Sequence, residues 1–296
     1  MKNVLIIGGS GLLGSNWAIK WRDRYNILLG INKRFIEIDG TKSIIIDFRN
    51  EKVIRDILEK NKIDILINCS GLTNVEKCEK NKELAEFVHC RLCEVLSKLC
   101  FSLGVKQVHI STDHLFDGSK KCVDENCLPK PLNNYGKTKL ISEKMVSKLN
   151  PKALIIRTNF FGKGPSYRRS FSDYIIDNIS INKSVNLFHD VYFTPIHIDE
   201  LIDLTEKLLF QDLFGIYNVV GDERITKYEF GLKIASEMGI RSELIKKSFI
   251  SKRKDLIKRP FDLSLSNKKL KNSISSSIKT LNQQLNDMLI INKQKI

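Results

Sequence analysis

Val4-Leu5-Ile6-Ile7-Gly8-Gly9-Ser10-Gly11-Leu12-Leu13-Gly14 is the stretch that decides the fold. Its first four residues are an unbroken apolar run, the mark of a parallel strand buried on both faces. Residues 15–21 then continue with helical character. Strand, glycine-rich turn and helix in that order open a βαβ unit that holds phosphate at the helix N-terminus. In this spacing Gly8 permits the turn, Gly11 lets backbone approach a pyrophosphate, and Gly14 lets helix pack close on strand. The common dinucleotide spacing, Gly-x-Gly-x-x-Gly, differs by one residue.

Apolar runs at 26–29, 43–46, 64–67, 107–110 and 153–156 alternate with helical stretches at 51–60, 82–103 and 135–149. That rhythm predicts a Rossmann-like, doubly wound parallel sheet. Ligands in such sheets sit at the C-terminal strand ends. There the chain places Asp47-Phe48, Asn68-Cys69-Ser70-Gly71, Ser111-Thr112-Asp113 and Arg157-Thr158-Asn159-Phe160. The rhythm breaks after Phe160. A dinucleotide domain over 1–158, with a segment near 195–209 returning to its sheet, is expected, followed by a smaller α/β substrate-binding domain over 159–296. Thr226 and Glu229 form a capping box for a helix running to about Met238. The tail beyond Asn272 is polar and expected to fray.

Tyr135-Gly136-Lys137-Thr138-Lys139 puts a phenol and an ammonium at i and i+4 on one helix face. An ammonium there favours phenolate and is expected to lower the tyrosine's pKa, making a group that trades protons near neutral pH. The spacing alone is common in a lysine-rich chain; the glycine turn gives it meaning.

At 296 residues with 42% hydrophobic residues, the chain can bury a sizeable core. No apolar run approaches the roughly 18 residues of a membrane span, and Met1-Lys2-Asn3 leads directly into the first strand. A soluble cytoplasmic protein is expected, its seven cysteines reduced thiols. His89, Cys90 and Cys93, near Cys78 and Cys100, suggest zinc, but they fall on a predicted amphipathic helix where cysteine is a small core residue; no metal is expected. The formal charge is +15. Residues 241–271 hold eleven Lys or Arg against Glu243, Asp255 and Asp262, scattered among Leu, Ile and Ser without interleaved aromatics. An anionic small molecule suits this better than nucleic acid.

Further matches run in order along the chain: Asp64-Ile65-Leu66-Ile67-Asn68, Thr73, Val75, Glu79, Glu83-Leu84-Ala85, then His109-Ile110-Ser111-Thr112-Asp113-His114-Leu115-Phe116-Asp117-Gly118. After Pro131-Leu132-Asn133-Asn134-Tyr135 come Ile156-Arg157-Thr158, Thr194-Pro195, Gly215-Ile216-Tyr217-Asn218, Tyr228-Glu229-Phe230 and Arg259-Pro260. With these the chain resembles the dTDP-4-dehydrorhamnose reductase family of extended short-chain dehydrogenase/reductases. The resemblance implies a catalytic triad of Thr112, Tyr135 and Lys139, with Thr112, Asp113, His114 and Phe160 toward a nucleotide-sugar. It implies a cofactor held by Gly8, Ser10, Gly11, Leu12, Leu13, Gly14, Asn32, Lys33, Arg34, Asp47, Phe48, Ser70, Gly71, Leu72, Ile110, Tyr135 and Lys139. The second strand ends in Gly30-Ile31-Asn32-Lys33-Arg34, two cations and no carboxylate, so NADPH is expected over NADH.

Three positions depart from the family pattern: His114 for a usual tyrosine, Cys69-Ser70-Gly71 for an alanine run, and His89 for a usual asparagine. The implied activity is reduction of the 4-keto group of a nucleotide-activated 6-deoxysugar for surface polysaccharide synthesis. The alternative is a non-catalytic, NADP-binding regulatory subunit like the methionine adenosyltransferase beta subunit. A sugar-nucleotide dehydratase would want an acid where His114 stands. The sequence leaves oligomeric state open, a homodimer being compatible with it.

Overall fold

Seven parallel strands form the central sheet of the computed structural model, which describes residues 1–275 and 277–293. In chain order the strands are β1 (Asn3–Ile7), β2 (Asn26–Ile31), β3 (Thr41–Ile45), β4 (Ile65–Asn68), β5 (Lys106–Ile110), β6 (Leu154–Arg157), β7 (Phe160–Phe161), β8 (Val185–Phe188), β9 (Tyr192–Phe193), β10 (Ile196–His197), β11 (Gly215–Asn218), β12 (Ile225–Thr226) and β13 (Ile245–Ser248). The helices are α1 (Leu12–Trp21), α2 (Glu51–Lys60), α3 (Val75–Lys80), α4 (Lys82–Glu86), α5 (Leu92–Leu103), α6 (Asn134–Leu149), α7 (Phe171–Ser180), α8 (Ile198–Phe210), α9 (Lys227–Glu237), α10 (Lys268–Ile274) and α11 (Leu281–Lys293).

The sheet order is β11-β6-β5-β4-β1-β2-β3. From β1 the chain winds out to β3, then returns and winds the other way from β4, so the strand order reverses between β1 and β4, and a crevice opens at their C-terminal ends. Alternate residues of β1 face opposite layers, as strand geometry requires. Val4 and Ile6 pack with Leu13, Trp17 and Trp21 of α1 and with Leu201 and Leu204 of α8, while Leu5 and Ile7 pack with Ile54 and Leu58 of α2 and Leu96 and Leu99 of α5.

Three expectations need correction. The stretch 82–103 is not one uniform α-helix: a π-helical segment, Phe87–Arg91, separates α4 from α5, and Leu92 N–H donates to the carbonyl of Phe87, five residues back. This inserted residue shifts the side chains of the segment around the helix axis, and such bulges concentrate at functional sites. Residues 195–209 do not themselves rejoin the sheet; β10 pairs with β7, α8 lies against α1, and the strand that adds to the sheet is β11, beside β6. Beyond Asn272 the described residues reach α11, which is anchored: Leu281, Leu285 and Met288 are buried with Phe230 and Ile234 of α9, so their apolar faces hold that helix on a second core, while 276 and 294–296 lie outside the described residues. That core also takes Ile175, Ile179, Val185, Leu187 and Ile245. The capping box at Thr226 and Glu229 is present, with the helix ending at Glu237. Among the described residues no helix is long and apolar enough to cross a membrane.

Candidate functional site

The glycine turn supplies the first wall of the crevice. Gly8 and Gly9 donate their N–H groups to the Gly30 carbonyl, and Gly8 has φ 81, a left-handed conformation that suits glycine. A Cβ at Gly14 would lie 2.5 Å from the Gly8 carbonyl oxygen, so only glycine lets α1 approach the turn this closely. Gly11 caps α1 with no side chain folded onto the first-turn amides. Those amides and the helix dipole are therefore free for phosphate, and the turn fits the dinucleotide its sequence predicts.

A cleft of about 920 Å³ runs from this turn across the strand ends. Of the predicted residues it gathers Gly8, Ser10, Gly11, Leu12, Leu13, Asn32, Lys33, Asp47, Phe48, Ser70, Gly71, Leu72, Ile110, Thr112, Asp113, His114, Tyr135, Lys139 and Phe160. Gly14 stands behind the wall, as a packing glycine should. Arg34 is the exception: it does not line the cleft, and its guanidinium lies over the Tyr167 ring, 4.6 Å from the centroid.

At the far end the groups are buried. Asn133 caps α6 by accepting from the Gly136 amide at 3.0 Å. A Cβ at Gly136 would collide with the His114 carbonyl, so glycine lets this helix press against the loop after β5. Thr112 is thereby brought beside Tyr135 at the buried end of the cleft. The predicted lowering of the Tyr135 pKa is not what the site shows. Burial raises it, Thr112 opposes that, and Asp113 and Cys78 add to the rise. The ammonium of Lys139 is instead donated to the Ile110 carbonyl at 2.6 Å, and burial pulls its own pKa down. Helical spacing brought both residues to one cleft; desolvation is the largest cause of the shift at each.

The floor is held by a buried ion pair the sequence does not mark. Arg157 at the end of β6 donates to both oxygens of Glu143 on α6, Nη2 at 2.8 Å and Nε at 3.0 Å, with each side chain at most 3% exposed. Ser111 donates to the same carboxylate, so the pair fixes the strand end that carries Thr112. Asp113 in turn accepts from Thr112 and from Asn159.

His89 enters through the π-helical segment. Its Nε2 accepts from the Leu72 amide at 3.0 Å, which leaves Nδ1 as the protonated nitrogen, 2.8 Å from the Thr138 hydroxyl. That hydroxyl donates on to α6 carbonyls. Burial, reinforced by Lys139, lowers the His89 pKa to about 3, so the ring is a neutral tie between the loop after β4 and the helix bearing Tyr135 and Lys139. Cys90 packs beside it, its thiol pushed up to about 12 by burial. His114, the other departure, lines the cleft with its ring edge-on to Tyr135 at 5.5 Å.

A second cavity of about 310 Å³ adjoins the cleft and shares His114 and Phe171 with it. Lys227, Asn186, Arg259 and Tyr174 also line it. The Lys227 ammonium sits 3.2 Å from the centroid of the Phe193 ring, and burial lowers its pKa to about 7 against the pull of Asp113. Arg259 stands in the matched Arg259-Pro260 pair, but nothing local in the sequence marks Lys227, Asn186 and Tyr174 as its neighbours, because they converge from separate segments of the chain; only a cation opening a capped helix could have drawn notice to Lys227.

The fold and part of the sequence recur in known proteins. The chain is 27% identical to dTDP-4-dehydrorhamnose reductase of Salmonella typhimurium over 79% of its length and 78% of the relative's. It is 28% identical to methionine adenosyltransferase 2 subunit beta of Xenopus laevis over 81% and 73% of the two chains. The crystal structure of dTDP-4-dehydrorhamnose reductase from Bacillus anthracis in complex with NADP superposes with a TM-score of 0.88, covering 98% of this chain and 100% of that one at 23% identity. The family model for the RmlD substrate binding domain matches residues 1–293, and the chain belongs to that family.

Proposed function

We propose that this chain is an NADPH-dependent oxidoreductase that reduces the 4-keto group of a nucleotide-activated 6-deoxysugar, in the making of a surface polysaccharide sugar. The observation that carries the reading is one cleft with a phosphate-ready helix terminus at one end and buried Thr112, Tyr135 and Lys139 gathered at the other. The similarity to a dTDP-4-dehydrorhamnose reductase supports it.

NADPH, bound along the cleft, supplies the hydride for the carbonyl carbon. The carbonyl oxygen then needs a proton and a hydrogen-bond donor together. Tyr135 gives the proton; its raised pKa keeps the phenol protonated until the oxygen's growing negative charge draws the proton away. Thr112, turning its one hydroxyl proton away from Asp113, donates to the same oxygen. Lys139 anchors α6 to the end of β5 and offers its remaining N–H groups to the cofactor's ribose. Asp113, His114 and Phe160 face the sugar. The nucleotide-bearing part of the substrate extends into the adjoining cavity, where Lys227 and Arg259 meet its phosphates. Residues 1–158 thus serve the cofactor and the chain from 159 onward serves mainly the substrate.

The second reading, a regulatory subunit that binds NADP without turning over, draws on the similarity to methionine adenosyltransferase 2 subunit beta. Incubation with NADPH and a panel of dTDP-, GDP-, UDP- and CDP-linked 4-keto-6-deoxysugars, followed by loss of reduced-nicotinamide absorbance, separates the two. Consumption with at least one member supports the reductase; binding of NADPH with no consumption across the panel supports the subunit.

A further inference from the structure

Arg34 is exposed, and among the described residues its guanidinium has no carboxylate partner; what holds it is the face of Tyr167. Tyr167 belongs to the loop between β7 and α7, more than a hundred residues from the glycine turn, yet its hydroxyl donates to the Ser10 carbonyl of that turn at 3.1 Å. The same loop is tied to α1 a second time, where Asn16 Nδ2 donates to the Lys163 carbonyl at 2.9 Å. The chain thus crosses from the loop before α7 back over the rim of the glycine turn, and the ring it delivers there lies against the guanidinium that follows β2.

We propose that Tyr167 is a positioning residue for cofactor choice: it stacks Arg34 at the rim so that the guanidinium edge reads the 2′-phosphate of the adenosine ribose. Stacking occupies only the flat face of a guanidinium and leaves its N–H groups, which lie in the ring plane, free for a phosphate. It also restricts a long side chain that otherwise surrenders rotamer freedom on binding. Lys33, which lines the cleft next to Arg34, supplies a second charge without that constraint. The Ser10 hydrogen bond places the ring with respect to the very turn that receives the pyrophosphate.

This inference rests on the NADPH reading, and calorimetric titration of the full chain with 2′,5′-ADP and with 5′-AMP keeps the two apart. Wild type should prefer 2′,5′-ADP by about tenfold or more, the effect of a charged hydrogen bond to phosphate. Tyr167→Leu should reduce that preference to within about threefold, as Arg34→Ala does, and the double variant should lose no more than either alone, because both remove one stacked unit. Tyr167→Phe, which keeps the ring, should retain most of the preference. A Tyr167→Leu protein that keeps the wild-type preference, or a double variant whose losses add, would overturn the role of Tyr167 while leaving the cofactor reading intact. A wild type with no preference between the two ligands would remove both.

Discussion

At the glycine turn the cleft is walled by backbone, by first-turn amides of α1 and by exposed cations; at the Tyr135 end it is walled by side chains withdrawn from water, where burial displaces the pKa of Tyr135, Lys139 and His89. The first end needs a fixed shape and a positive field. The second needs groups that hold a proton until a reaction calls for it. The difference teaches that cofactor recognition here is largely a local property of the chain, whereas proton chemistry is a property of packing between distant segments.

The largest effect should come from the buried end. Tyr135→Phe should lower kcat by about a thousandfold while NADP+ binding, followed by calorimetry, stays within a factor of about two, since general acid catalysis by one positioned group is worth roughly 10²–10⁴. A loss below about tenfold would remove the phenol from the proton step. At the other end Gly14→Ala forces a methyl group to within 2.5 Å of a backbone oxygen that cannot swing aside. Destabilisation of about 3 kcal/mol in urea unfolding is expected. Unchanged stability would mean that the turn is not the rigid element described.

Much of the backbone-built end was legible beforehand. The apolar run before Gly8, the glycine spacing and the cations after β2 are contiguous, and each carries its meaning in its own neighbours. The Tyr135–Lys139 pair was visible too, because i and i+4 share a helix face. What those residues do to one another was not: Lys139 is turned toward the Ile110 carbonyl, and the phenol's pKa rises through burial. The Arg157–Glu143 pair, the His89 tie and Lys227 over its aromatic rings each join segments that only the folded chain brings together. Arg34 shows the limit at the legible end as well, since Tyr167 reaches it from a different part of the chain.

The contrast sharpens with pH. His89 in the folded chain has a pKa of about 3, below its ordinary value near 6.5. The unfolded chain therefore takes up the proton first as pH falls, so the contribution of a neutral His89 is complete above about pH 6.5 and is lost on the way down to pH 3. From pH 7 to pH 5 the stability advantage of wild type over His89→Asn should shrink by about 2 kcal/mol. A constant difference would show that His89 is not held neutral. The smallest effect belongs to the exposed end: Lys33→Ala should raise the KM for NADPH about tenfold and leave that for NADH nearly unchanged. Equal changes for both would place Lys33 away from the 2′-phosphate.

The division of labour between the two ends is tested most directly by following the transferred hydrogen. With NADPH carrying deuterium at the transferable C4 position and an accepted nucleotide-linked 4-keto-6-deoxysugar, mass spectrometry and NMR of the product should find one deuterium on carbon 4 of the sugar for each NADPH consumed. The hydroxyl hydrogen, supplied through Tyr135, should come from solvent. Tight NADPH binding with no deuterium in any sugar of the panel would contradict the account and leave the cleft a binding site without a reaction.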